Sequence, residues 1–169
     1  MSRRTAHLRR QRPSTPVQSS TCPCGLAETY DTCCGRFLPQ SRTNSTGGTP
    51  TGAAAAPTAE ALMRSRYSAF VKCDEAYLLR TWHPRTRPAR IEFDPGMRWT
   101  GLEILETGEG TAFHTTGTVT FRASYRGGSL RERSRFERVD GAWVYVDGDI
   151  DEGDNGGEGH TGTQDTRGV

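Results

Sequence analysis

Four of the five cysteines lie close together in the sequence, in a pattern that suits metal binding. Cys22 and Cys24 are followed, after eight residues, by the adjacent Cys33 and Cys34. A disulfide between neighbouring cysteines is strained, and an odd number of cysteines argues against a complete set of disulfides. Zn²⁺ prefers tetrahedral thiolate coordination, and four thiolates leave no position open for catalysis. The spacing therefore predicts a structural zinc site. The alternatives are reduced thiols in an unfolded segment and a redox switch.

A second set of residues could serve acid–base or binding chemistry. Strand alternation places Glu132 on the inward face of its predicted strand, where a buried carboxylate needs a partner. Arg64 or Arg66 on the preceding helix could pair with it in bidentate geometry. Glu132 is then either a general base or ligand anchor, or half of a structural ion pair joining helix to sheet, which is the interpretation we favour. His83 ends the second predicted helix, where it could act as an acid–base group or interact with the helix dipole. Cys73 has no activating base near it in sequence.

Two helices must position the arginines and the histidine. Thr58 is a helix cap, and apolar residues then recur at helical spacing as far as Val71. Asp74 caps a second helix that we expect to run through Trp82, before Pro84 ends it.

An antiparallel meander must position Glu132. Alternating apolar and polar residues predict four strands, separated by glycine-containing turns at 126–129 and 140–141. The predicted strands are Trp99–Thr107, Ala112–Tyr125, Leu130–Val139 and Ala142–Val146. In the second strand Phe113 falls on the apolar face and His114 on the polar face. Helices followed by a meander indicate an α+β domain with its helices on one face of a curved sheet.

The charge distribution separates this domain from the ends of the chain. The net charge is only +2, yet residues 1–21 hold five arginines and no acid, and seven acidic residues follow from Asp147 onward. We predict a disordered basic arm (1–21), a zinc knuckle (22–38), a flexible linker (39–57), a folded domain (58–148) and a disordered acidic, glycine-rich tail (149–169). The sequence has no apolar run long enough to span a membrane and no apolar core after its first arginines, so we expect a cytoplasmic protein.

The motifs also resemble those of a known bacterial family. CPCG followed by CCG resembles the SEC-C motif, a zinc-binding knuckle. PTAEALMRSRYSAF (57–70), EAYLLRTWHPRTRP (75–88), LRERSRF (130–136) and GAWVYVDG (141–148) resemble the uncharacterised YchJ (UPF0225) family. That resemblance implies a nuclear-transport-factor-2-like (NTF2-like) domain, in which helices close one side of a cone-shaped antiparallel sheet. Many such proteins carry a second knuckle at the C-terminus, which this sequence lacks.

Together these features predict a zinc-binding, non-catalytic adaptor that contacts another protein through the knuckle. A homodimer formed through the sheet is a further expectation. One alternative is an enzyme of isomerase or hydrolase type, with a pocket around Glu132, Arg64 and His83. A second is nucleic-acid binding through the arginine arm, helped by Arg131, Arg133 and Arg135 on one strand face, although no recognisable nucleic-acid-binding module is present.

Overall fold

The computed structural model describes residues 20–38 and 54–151. Two helices, α1 (Ala59–Lys72) and α2 (Glu75–Arg80), precede four strands. The strands are β1 (Trp99–Glu109), β2 (Thr116–Tyr125), β3 (Gly128–Val139) and β4 (Ala142–Asp151). They form one antiparallel sheet in the order β1-β2-β3-β4. The predicted α+β class is confirmed.

Both predicted caps begin their helices. The Thr58 hydroxyl accepts a hydrogen bond from the Ala61 amide at 3.1 Å, and the Asp74 carboxylate accepts one from the Tyr77 amide at 2.9 Å. These bonds satisfy amides that have no partner within the helix. The helices are joined at Cys73, which adopts a left-handed conformation with φ of 55°.

The second helix is shorter than predicted. It ends at Arg80, and the next residues pair with β4 in a short parallel bridge between Trp82 and Tyr145. The Tyr145 amide donates to the Thr81 carbonyl at 2.9 Å, and the His83 amide donates to the Tyr145 carbonyl at 2.7 Å. Pairing with a strand therefore ends α2 before Pro84 could.

The second strand begins later than predicted. The chain turns between Gly110 and Thr116, whose amide and carbonyl are hydrogen-bonded at 3.1 Å. Phe113 lies in this turn and is 96% exposed, so its predicted place on the inner face is wrong. The inner face instead begins at the buried Gly117, and its first apolar side chain is that of Val119, which is fully buried.

The last strand is longer than predicted. It continues to Asp151 and contains a bulge at Val146, because Phe136 pairs with Tyr145 whereas Arg135 pairs with Asp147. A bulge inserts one extra residue, so the residues after it point to the opposite face from the one that uninterrupted alternation would give them. Asp147, Asp149 and Asp151 therefore lie on β4, and the first three residues of the predicted tail (149–151) belong to this strand. The predicted arm and tail otherwise lie outside the described residues, as does most of the linker.

The core lies between the helices and the inner face of the sheet, and the knuckle packs against it. Phe37 and Leu38 at the end of the knuckle are buried in the same apolar cluster as Leu62 of α1 and Phe121 of β2. The Ala54 amide donates to the Arg36 carbonyl at 3.3 Å, which brings the end of the predicted linker beside the knuckle. The knuckle is therefore part of the packed structure and not a separate unit.

Candidate metal centre

The four predicted ligands meet in space. The sulfur atoms of Cys22, Cys24, Cys33 and Cys34 all lie within 4.8 Å of one another, and all four residues are buried. The Cys24 and Cys33 sulfurs are 3.6 Å apart, and those of Cys33 and Cys34 are 3.9 Å apart. A tetrahedron with zinc–sulfur bonds of about 2.3 Å has sulfur–sulfur edges of about 3.8 Å. The cluster therefore fits a metal ion of that size.

Backbone hydrogen bonds fold the knuckle so that its two cysteine pairs meet. The Cys22 amide donates to the Glu28 carbonyl at 2.8 Å, which closes the first loop. The Cys33 amide donates to the Thr29 carbonyl at 3.0 Å, and a 3₁₀ turn then runs over Cys34–Arg36. The turn places the adjacent cysteines opposite the first pair, so two pairs with eight residues between them form a compact cluster.

Gly25 fits the knuckle tightly against the sheet. Its φ of +87° is in the left-handed region, and a β-carbon there would lie 3.1 Å from the Leu102 carbonyl oxygen on β1. Glycine is therefore favoured by both backbone conformation and space.

Burial and hydrogen bonding among the thiols shift their pKa values in opposite directions. The pKa of Cys24 is lowered to about 5, chiefly by its hydrogen bond with Cys34. Burial, followed by the hydrogen bond to Cys24, raises the pKa of Cys33 to about 12. The pKa of Cys34 is raised as well, first by its hydrogen bond to Cys24 and then by burial, while the Ser68 hydroxyl acts in the opposite direction. A divalent cation would replace these shared protons and stabilise all the thiolates.

One face of α1 contacts the knuckle through polar side chains spaced four residues apart. Arg64 bonds Glu60 at 2.8 Å and donates to the Cys24 carbonyl at 3.0 Å. The Ser68 hydroxyl lies 3.7 Å from the Cys22 sulfur, and the Lys72 ammonium lies 4.0 Å from the centre of the Tyr30 ring. We refer to Glu60, Arg64, Ser68 and Lys72 as the polar stripe. Sequence reasoning did not assign these contacts, although the four-residue spacing between apolar positions was a usable signal.

Glu132 is buried, as predicted, and lies in a polar part of the core. It is 1% exposed, and its Oε1 accepts hydrogen bonds from Ser134 Oγ at 2.6 Å and from the Tyr145 hydroxyl at 3.1 Å. Gly148 lies on the neighbouring strand β4, and a β-carbon there would lie only 2.0 Å from Glu132 Oε1. The bulge at Val146 puts this glycine on the inner face, which makes room for the carboxylate.

Of the two candidate arginines, Arg66 is the one in this region. It is fully buried, with its guanidinium carbon 4.6 Å from the centre of the Tyr145 ring and 4.9 Å from that of Trp82. Nη1 donates to the Leu78 carbonyl and to the Thr81 hydroxyl, both at 2.9 Å. Burial lowers the pKa of Arg66 to about 10, while nearby groups including Glu132 oppose that shift. Arg66 and Glu132 both contact Tyr145, so the two charges lie in the same buried region between helix and sheet. An ion pair between them that joins helix to sheet stays a prediction.

The structure does not bring Arg64, Glu132 and His83 into one pocket. Arg64 lies on the knuckle side of α1, as described above. His83 is buried, with Nδ1 accepting from the Arg85 amide at 3.1 Å and Nε2 lying 3.8 Å from a Glu137 carboxylate oxygen. Cys73, the fifth cysteine, is exposed and lies outside the thiol cluster.

The arginine face of β3 is largely matched by acids on β4. Arg131 bonds Asp151 at 2.7 Å, and Arg135 bonds Asp147 at 2.5 Å and Asp149 at 2.6 Å. These pairs partly neutralise the strand face that the nucleic-acid alternative requires. The basic arm of that alternative lies almost wholly outside the described residues.

Neither helix in the part of the chain that the structure describes has the length and apolar character to cross a membrane.

Comparison with known proteins agrees with the motifs. The family model for the middle NTF2-like domain of YchJ matches residues 58–148. The chain is 74% identical over 129 residues to a UPF0225 protein of Streptomyces coelicolor, covering 76% of this chain and 94% of the relative. It is 65% identical over 149 residues to a UPF0225 protein of Streptomyces avermitilis, covering 88% and 96%.

Two solved structures are similar as well. A SEC-C motif containing protein from Rhodopseudomonas palustris matches with a TM-score of 0.60 and 33% identity, over 77% of this chain and 98% of that one. A SEC-C motif containing protein from Psychrobacter arcticus matches with a TM-score of 0.57 and 25% identity, over 78% and 81%.

Proposed function

The chain belongs to the YchJ (UPF0225) family, and we propose that its knuckle binds one structural zinc ion through Cys22, Cys24, Cys33 and Cys34. The observation that carries this proposal is the convergence of four buried sulfurs within 4.8 Å. The donor set is all sulfur, which favours Zn²⁺ over the hard cations that select oxygen ligands. The bound ion would supply charge compensation and a rigid crosslink.

A closed four-thiolate site supports a structural role. All coordination positions are filled by protein, so no position is left for a substrate. The ion would join both cysteine pairs, and through Phe37 and Leu38 the knuckle would stay packed on the core. Reduced thiols are the state that binds metal, which fits a protein of the reducing cytoplasm.

The proposed biological role is that of an adaptor that presents the knuckle to another protein. The loop between the cysteine pairs is mostly exposed, and its Leu26 is 39% exposed and follows Gly25, which lies against the edge strand β1. An apolar side chain on a metal-stiffened loop loses little conformational entropy on binding a partner. Self-association through the sheet is a separate proposal, which size-exclusion chromatography with light scattering tests.

Native mass spectrometry of the full chain tests the zinc site. We expect one zinc per chain, lost in the Cys33→Ser/Cys34→Ser variant and retained in Cys73→Ser. Cys73 is the matched control because it is exposed and outside the cluster. A wild-type protein that is folded without zinc in zinc-replete buffer contradicts the site.

The adaptor role needs its own test. Purified wild type, Cys33→Ser/Cys34→Ser and Cys73→Ser are used as baits, and each captured protein is then purified and assayed alone. A partner that binds wild type and Cys73→Ser directly, but not the double variant, supports the role. Equal binding to all three contradicts it.

A further inference from the structure

We propose that Ser68 is a positioning residue of the metal centre, whose hydroxyl donates a hydrogen bond to the zinc-bound thiolates. The inference rests on the proposed function, since it concerns the same site. Under this proposal α1, which lies outside the knuckle, helps to set the affinity of the protein for zinc.

Ser68 is placed for this role in the middle of the polar stripe. It is fully buried, and its Oγ lies 3.7 Å from the Cys22 sulfur. Cys34, in the other half of the knuckle, is 2% exposed, and the Ser68 hydroxyl opposes the rise in its pKa. The hydroxyl therefore contacts the Cys22 sulfur and also influences Cys34, one cysteine from each half of the knuckle.

The hydroxyl has a choice of acceptors. In the structure Ser68 Oγ also donates to the Arg64 carbonyl, one turn earlier in α1, at 3.1 Å. That carbonyl is neutral, whereas four thiolates on a divalent ion carry a net charge of −2. Hydrogen bonds to charged acceptors are the stronger ones, so metal binding turns the hydroxyl from the helix carbonyl to sulfur.

The surroundings make such a donor valuable. The cluster is excluded from water, so charge on the sulfurs must be balanced by protein groups. Arg64 lies nearby but bonds the Cys24 carbonyl, and Lys72 lies over the Tyr30 ring. Ser68 is the member of the polar stripe whose side chain contacts sulfur directly. Groups that bond metal ligands commonly change metal affinity by about 10- to 100-fold when removed.

The experiment compares Ser68→Ala with Ser65→Ala in the full chain. Ser65 is also fully buried on α1, but its hydroxyl donates to the Leu62 carbonyl at 2.8 Å and bonds the Tyr77 hydroxyl at 2.6 Å. Zinc affinity is measured by competition with a chromophoric chelator. We expect Ser68→Ala to bind zinc about tenfold more weakly, and Ser65→Ala to bind as wild type does.

A spectroscopic readout separates a hydrogen bond from a packing effect. In the cobalt-loaded protein, loss of a hydrogen bond to thiolate shifts the sulfur-to-cobalt charge-transfer band. We expect this shift in Ser68→Ala and not in Ser65→Ala, with Ser68→Thr, which keeps the hydroxyl, resembling wild type in both assays.

Wild-type affinity and an unshifted band in Ser68→Ala overturn the inference, as does Ser68→Thr behaving like Ser68→Ala. In those outcomes wild type still binds zinc, so the proposed function stands. A wild type that binds no zinc overturns both.

Discussion

Arg64 Nη1 donates a hydrogen bond to the carbonyl oxygen of Cys24 at 3.0 Å. The bond joins the middle of α1 to a residue forty positions earlier, at the centre of the candidate metal site. Arg64 Nε also donates to Glu60 Oε1 at 2.8 Å, so the guanidinium is held from a second side. The helix that begins the NTF2-like domain thus also supports the knuckle.

Replacing this arginine should loosen the knuckle. For Arg64→Gln we expect a loss of about 1–2 kcal/mol in the free energy of unfolding, because a charge-assisted hydrogen bond to a backbone carbonyl is lost. Urea denaturation in excess zinc measures it. Arg90→Gln is the control, since Arg90 is exposed and pairs only with Glu92 among the described contacts. Equal losses in the two variants would show that the Cys24 contact contributes nothing.

Gly25→Ala should weaken the knuckle more than its backbone conformation alone explains. Gly25 and Gly127 both have positive φ, 87° and 103°, but only at Gly25 would the added β-carbon approach another group, the Leu102 carbonyl. Each substitution costs roughly 1 kcal/mol for the left-handed backbone. We therefore expect Gly25→Ala to be less stable than Gly127→Ala in thermal unfolding, and to bind zinc more weakly. Identical melting temperatures and zinc affinities would contradict the tight packing of knuckle on β1.

Arg66 and Glu132 should depend on each other for stability. Removing either charge alone leaves the other buried, so Arg66→Met and Glu132→Gln should each cost about 3–5 kcal/mol. The double variant should cost at least 1 kcal/mol less than the sum of the two, as coupled sites do. Denaturant unfolding of all four proteins completes the cycle.

An exposed carboxylate provides the control for that cycle. Glu103 bonds Arg122 at 2.9 Å on the outer face, and Glu103→Gln should cost less than about 1 kcal/mol. Additive losses for the buried pair would show that Arg66 and Glu132 do not interact.

Stability should fall in alkali through the buried tyrosines. Burial raises the pKa of Tyr67 from 10.0 to about 12. The folded state thus holds this proton more tightly than the unfolded state, so the stabilisation is complete below pH 10 and is lost as the pH rises towards 12. Between pH 9 and 11 the stability of wild type relative to Tyr67→Phe should drop by roughly 1 kcal/mol. Denaturant unfolding at each pH measures the difference, which should stay constant from pH 6 to 8; a constant difference up to pH 11 would contradict the shift.

Local features were the most predictable from sequence. Thr58 and Asp74 cap their helices as predicted, because capping depends on a side chain and an amide three residues away. The inner positions Val119, Phe121 and Ala123 follow from alternation and are fully buried. Phe113 did not follow the pattern because the turn at Gly110 interrupts the strand, and alternation has no meaning across a turn.

The choice between Arg64 and Arg66 could not be made from sequence. Arg64 and Arg66 are two residues apart on a helix, so their side chains are separated by about 200° around its axis and must lie on different faces. Which face meets the sheet depends on contacts with distant segments. Arg66 contacts Leu78 and Tyr145, whereas Arg64 contacts Cys24.

The sequence by itself determined which four cysteines form the cluster, where the helices start and the strand-rich α+β class, because cysteine spacing, caps and alternation are properties of neighbouring residues. Only the tertiary structure decided that the knuckle is packed into the core, that the polar stripe of α1 faces it, and that a bulge at Val146 leaves room for Glu132. Those arrangements depend on long-range packing, in which each element takes the orientation that buries its apolar face and pairs its buried polar groups.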